Sequence, residues 1–195
     1  MSLSEEKVLD VILEHYKETN TLSKTAQKDR NKYFIYFCLA ELILLFVIQF
    51  PDNFGRIFSG YFEYKIGIDI SLDLKAIQSL IWVMSVYAQM HYYQRSVYIE
   101  RLYPYISHLE HKLSSMGFEE VFSREGKAYA SNYPFILTVI HFFYNMCIPF
   151  FAICLSIYFM YYEYLHGGYL FFDGVCCLFQ VIVSLSYVWF MRKTL

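Results

Sequence analysis

YFIYFCLAELILLFVIQF, residues 33–50, decides the fold, because it is a long apolar run with a single formal charge, Glu41, near its middle. A hydrocarbon core about 30 Å thick takes roughly 17 to 25 apolar residues in a helix, and this run fits that window. Lys24, Lys28, Arg30 and Lys32 stand just before it; Pro51, Asp52 and Asn53 follow it. The stretch predicts a transmembrane helix that carries an acid.

The rest of the chain agrees. With 57% hydrophobic, 21% aromatic and 17% charged residues among 195, it is too apolar for an ordinary soluble domain and too short for two large ones. The formal net charge of -2 argues against a basic nucleic-acid binder, so no direct sequence-specific nucleic-acid contact is expected. Cys38, Cys147, Cys154, Cys176 and Cys177 all fall in apolar runs without C-x-x-C spacing, which reads as buried free thiols. Residues 1–32 hold no apolar signal core, so the first span is expected to stay as an anchor.

Working outward, residues 4–31 place Val8, Leu9, Ile12, Leu13 and Tyr16 at helical spacing behind Ser4, Glu5 and Glu6. This is an amphipathic helix, free to lie on the membrane or, with its balanced charge, to pack on another part of the chain. Residues 51–73 read as an aromatic loop resting at the interface. A second span over 74–93 is the weakest, since Gln78, Ser85, Gln89 and His91 interrupt it. Residues 94–132 read as a polar helical extension, interrupted at Pro104, resuming from Tyr105, with a further helical piece over 119–130. The third span, 135–162, is longer than a perpendicular crossing needs and must tilt, kink at Pro149 or protrude. The fourth covers 169–190.

Lys and Arg cluster before the first span, in 94–132 and at Arg192 and Lys193, whereas only Arg56, Lys65 and Lys75 fall on the other side. The positive-inside rule then puts both termini and the extension in the cytoplasm, which requires an even number of spans. The expected fold is all-α: a polytopic, four-transmembrane-helix bundle over 33–195 with cytoplasmic helical extensions, including the N-terminal helix 1–32.

Glu41 is the sharpest candidate. It reads either as a pore-lining or proton-binding acid, or as a protonated side chain hydrogen-bonded to Gln78, Gln89, His141 or Asn145 to fix packing. His141 and Asn145, four apart, share a helix face and could join the same polar seam. His108 and His111 lie three apart, too few ligands for a metal site, and Arg101 with His108 makes a weak resemblance to the R-x(4-6)-H pattern of HEPN ribonucleases, interrupted by Pro104 and Tyr105. Ala152 and Ser156 have the small-xxx-small spacing of close helix contacts. No metal, cofactor or conventional enzyme motif appears.

The four spans, inward termini, helical 94–132 segment and aromatic composition resemble the small four-pass membrane accessory proteins of bacterial anti-phage systems, including type VI-B CRISPR loci. The resemblance implies an inner-membrane protein that reinforces or regulates a cytoplasmic defence complex, as a pore-forming or membrane-perturbing homo-oligomer embedded in lipid. The plan is also similar to gap-junction-type channel subunits, but their paired outer-loop cysteines are absent. A non-conducting anchor that regulates a cytoplasmic effector is the alternative, and a HEPN-like nuclease a further one.

Overall fold

The computed structural model describes residues 3–66, 74–118, 135–166 and 171–194. The expected helical piece at 119–130 lies outside the described residues. Every element among those described is helical.

Helix α1, Leu3–Gln49, runs unbroken for 47 residues, about 70 Å at 1.5 Å per residue. The expected amphipathic helix and first span are thus one element. No glycine or proline occurs between residues 3 and 49, and one hydrophobic register crosses the boundary between them. Leu9, Ile12, Tyr16, Thr19, Ser23, Ala26, Arg30, Tyr33, Phe37, Ala40, Leu44 and Val47 alternate in steps of three and four, and each is buried or half-buried. Helix α3, Leu74–Leu113, carries the matching register through Trp82, Ser85, Gln89, Tyr92, Ser96, Ile99, Ile106, Glu110 and Leu113, all buried. Sustained steps of three and four are the signature of a coiled-coil seam. Asp29 meets Arg95 at 3.5 Å and Ser85 meets Glu41 at 2.6 Å, so the two helices run antiparallel.

Outside the bundle this pair forms a stalk. Its tip is closed by Leu9, Ile12, Leu109 and Leu113, with Leu13, Tyr16 and Met116 packed against them. The Tyr16 hydroxyl donates to Glu110 Oε1 at 3.2 Å. The N-terminal helix therefore takes the packing role. Pro104 does not divide α3, contrary to the expected interruption. It removes one backbone donor on an exposed face, while Ile99 and Ile106 on either side stay locked in the seam at 2% and 1% exposure.

The segment expected as an interfacial loop is helical over α2, Pro51–Ile66. Pro51 suits a first helical turn, Asp52 complements the dipole there, and Phe46 packs against Phe50 and edge to face against Phe54, which in turn stacks on Phe58. The third apolar run comprises α4, Phe135–Phe142, a π-helical turn Phe143–Cys147 and α5, Ile148–Leu165. Pro149 cannot donate to the carbonyl of Asn145, and the wide turn lies where that bond is lost. Helix α6, Phe171–Thr194, completes the bundle against α3 and α5.

Among the described residues, three helices are long and apolar enough to cross a membrane: Glu6–Gln49, Phe143–Leu165 and Phe171–Lys193. Leu42, Phe150, Ile157, Leu178 and Leu185 turn outward from them, each more than half exposed, which suits a lipid-facing wall. Inside, one cluster centres on Phe37, Tyr92, Ala152 and Tyr187, and a second on Leu44, Trp82, Phe159 and Cys177.

Leu113 is fully buried at the stalk tip. Leu113→Ala is expected to cost about 2–5 kcal/mol locally. Amide hydrogen exchange should accelerate over residues 6–20 and remain unchanged over α6; equal acceleration in both would contradict a separable tip.

Candidate functional site

Polar side chains converge in the interior of the bundle, in three layers. The central layer holds Glu41 of α1, Ser85 of α3, Ser156 of α5 and Gln180 of α6, all buried. Ser85 Oγ donates to Glu41 Oε1 at 2.6 Å and Gln180 Nε2 donates to the same oxygen at 2.7 Å. Ser156 Oγ lies 3.1 Å from Gln180 Oε1 and 2.8 Å from the Ala152 carbonyl. Four helices thus meet on one amide and one carboxyl. Ala152 and Ser156 are at most 1% exposed, so their small-residue face does lie against the bundle.

One turn along α3 and α6 lies the second layer, in which Gln89 Nε2 donates to Ser184 Oγ at 2.8 Å and to the Tyr93 hydroxyl at 3.3 Å. Tyr93 stacks on Tyr187 with ring centroids 4.2 Å apart, and the Tyr187 hydroxyl donates to Asn145 Oδ1 at 2.8 Å. The π-turn holding Asn145 also presents the Tyr144 carbonyl to the Tyr92 hydroxyl at 3.0 Å.

The third layer is acidic. Gln78 Nε2 donates to Glu163 Oε1 and, at 3.0 Å, to Asp173 Oδ2, while Ser79 Oγ donates to Asp173 Oδ1 at 2.7 Å. Asp173 stands in the first turn of α6, where the helix dipole favours a carboxylate. Trp82 and Phe159, both fully buried and packed edge to face at 5.6 Å, fill the space between this layer and Glu41.

Of the candidates read from sequence, Glu41, Gln78, Gln89 and Asn145 all face the interior, but in separate layers, and Glu41 takes Ser85 and Gln180 as its partners. The side chain of His141 lies outside the described residues. Arg101 places its guanidinium over the Phe190 ring at 5.5 Å, tying the stalk base to α6. His108 and His111 are exposed on the stalk, and no group of three metal-ligating side chains occurs among the described residues. Arg101 and His108 are two turns apart on one helix, with neither shown in contact with the other.

Sequence reading missed Glu163, Asp173, Gln180 and Ser184. The signal was present in α6, where Asp173, Cys177, Gln180, Ser184, Tyr187 and Met191 follow in steps of four and three along one face. A polar stripe inside an apolar span marks the side that faces other helices.

The fold and site define an all-helical protein with three helices apolar enough for a membrane and a layered polar core. No protein-family model matches the chain, and no curated protein or solved structure shows significant similarity to it.

Gln180 contacts both Glu41 and Ser156. Gln180→Leu should lower stability by about 1–2 kcal/mol, the upper range for hydrogen bonds between membrane helices. Unfolding in a titration of denaturing detergent reads this; an unchanged midpoint would show that the amide holds nothing together.

Proposed function

We propose that the chain is a four-span protein of the bacterial inner membrane whose cytoplasmic stalk docks a defence effector complex and whose bundle anchors and reports on that contact. The observation that carries this reading is the α1/α3 seam, one register running from the stalk tip to the buried Glu41 layer. A docking event on the stalk has a continuous packed path to the core along this pair. The anti-phage setting rests on the architectural resemblance.

Support for a fourth span over 74–93 comes from depth. Trp82 packs with Leu44 and Phe159 of two apolar helices, Ser85 meets Glu41, and Leu80, Met84 and Tyr87 turn outward more than half exposed. Helix α3 therefore shares the level of its apolar neighbours and shows the outside the same kind of surface. Gln78, Ser79, Ser85 and Gln89 turn inward to Asp173, Glu41 and Ser184, while Lys75 at the start of the helix is exposed.

The stalk offers a docking face in Val8, Val11 and Leu22, each at least half exposed on the side of α1 away from the seam. A pore-forming homo-oligomer is the second reading, favoured by the polar layers that line the interior. In this conformation Trp82 and Phe159 close the path between the outer acids and Glu41.

Reporter fusions decide the topology: four spans place N- and C-terminal reporters on the same, cytoplasmic side, whereas three spans would separate them. Replacing Val8, Val11 and Leu22 by lysine should preserve membrane insertion and weaken protection against phage at least about tenfold, the effect of losing roughly 1.4 kcal/mol of docking energy. Full protection by the triple variant would refute the stalk as docking element.

A further inference from the structure

Two acceptor oxygens in the bundle core lack a hydrogen-bond partner: Glu41 Oε2 and Gln89 Oε1. Both residues are at least nine-tenths buried, at 5% and 0% exposure. They belong to neighbouring layers. Ser85, bound to Glu41, precedes Gln89 by one turn of α3, and Gln180, bound to Glu41, precedes Ser184, bound to Gln89, by one turn of α6.

No local donor reaches either oxygen. Ser85 gives its proton to Glu41 Oε1, the Gln89 amide serves Ser184 and Tyr93, and Tyr93 and Ser184 share a further bond at 3.1 Å. The second amide hydrogen of Gln180 reaches only as far as Ser85 Oγ, at 3.5 Å. The one hydroxyl hydrogen that the Tyr93–Ser184 pair leaves over reaches neither Glu41 Oε2 nor Gln89 Oε1, so both oxygens stay unmet. Buried acceptors left in that condition are costly, and the deficit is filled in real cores by a water, an ion or a proton.

No lysine, arginine or histidine contacts Glu41 among the described residues. The titratable groups that face it are Cys38 on its own helix, Tyr93 from α3 and Cys177 from α6, while α5 contributes the neutral Ser156 through Gln180. A bare carboxylate surrounded by neutral groups in an apolar bundle carries a penalty of several kcal/mol.

We propose that Glu41 and Gln89 form a proton-binding site: Glu41 carries a proton on Oε2, and that O–H completes the unmet acceptor Gln89 Oε1 across the turn between the layers. Binding forms one O–H bond on Oε2; release breaks it, leaves the carboxylate with its electron pair and passes the proton to water. Glu41 also borders a cleft of about 450 Å³ between α1 and the π-turn with α5, walled by apolar surface of Phe37, Cys38, Phe143, Cys147 and Phe151, while its own Oε2 is sealed, so the proton is held away from solvent.

Infrared difference spectroscopy on the full chain in lipid vesicles tests this. With glutamate side chains labelled with ¹³C, the wild type should show a protonated-carboxyl C=O band at neutral pH that the label shifts. Glu41→Gln should abolish that band, and Gln89→Leu, which leaves the carboxyl in place, should move it to higher frequency as its hydrogen bond is lost. Absence of a label-sensitive protonated band in the wild type overturns the proposal without relying on any variant. A band retained by Glu41→Gln assigns the proton to another glutamate and overturns it too, and one unmoved by Gln89→Leu overturns the pairing.

Discussion

The antiparallel seam between α1 and α3 is the constraint on which the rest of the structure depends. Because both helices keep the same alternation of three and four from the stalk tip to the bundle core, a slip at one end displaces every contact to the other. The seam is uneven along its length. Leucine and isoleucine close the tip, Thr19, Ser23, Ala26 and Ser96 occupy the middle, and aromatic and polar side chains fill the bundle end. Small residues in the middle let the backbones approach, whereas the larger groups at both ends fix the register. The Asp29–Arg95 pair, about a third exposed on each side, adds at most about 1 kcal/mol and serves to align more than to stabilise.

Polar layers do the corresponding work among the other helices. Between apolar surfaces in a lipid-like setting, dispersion contacts do not distinguish one rotation of a helix from another, whereas a buried donor facing the wrong way loses its partner. Gln180 is bonded to α1 and lies beside the Ser156 hydroxyl of α5, and with Asp173, Ser184 and Tyr187 on the same face it fixes the rotation of α6. Gln78 performs the same service at the far end by holding Glu163 and Asp173 together. Polar residues that look like defects in an apolar run thus specify which apolar faces meet.

This explains what could be read from sequence. Residues 33–50 identified an apolar helix with an interior acid because length and hydropathy are local properties. The inward orientation of Gln78, Gln89 and Asn145 also followed from local logic, since such groups avoid lipid. The partners of Glu41 did not, because Ser85 and Gln180 are distant in sequence and serine is unremarkable in an apolar helix. Pro104 misled for a related reason: a proline marks a break by its own chemistry, but Ile99 and Ile106 hold α3 through it. At Pro51 the break is real, since α1 ends at Gln49, and what the sequence did not announce is that a new helix begins there.

The π-turn at Phe143–Cys147 is where the two organising devices meet. Arg30, a seam residue at the base of the stalk, lies over the Tyr144 ring at 5.6 Å, and Phe34 packs edge-on against the same ring. The turn's backbone accepts from Tyr92 of α3, and its Asn145 accepts from Tyr187 of α6. A regular α-helical turn here would rotate these groups and break at least part of the set, because a π-turn places one extra residue in the same rise. The irregularity is therefore held by contacts from three helices, two of which, α1 and α3, continue into the stalk. The turn thus ties the base of the stalk, through Tyr187 and Tyr93, to the layer that adjoins Glu41.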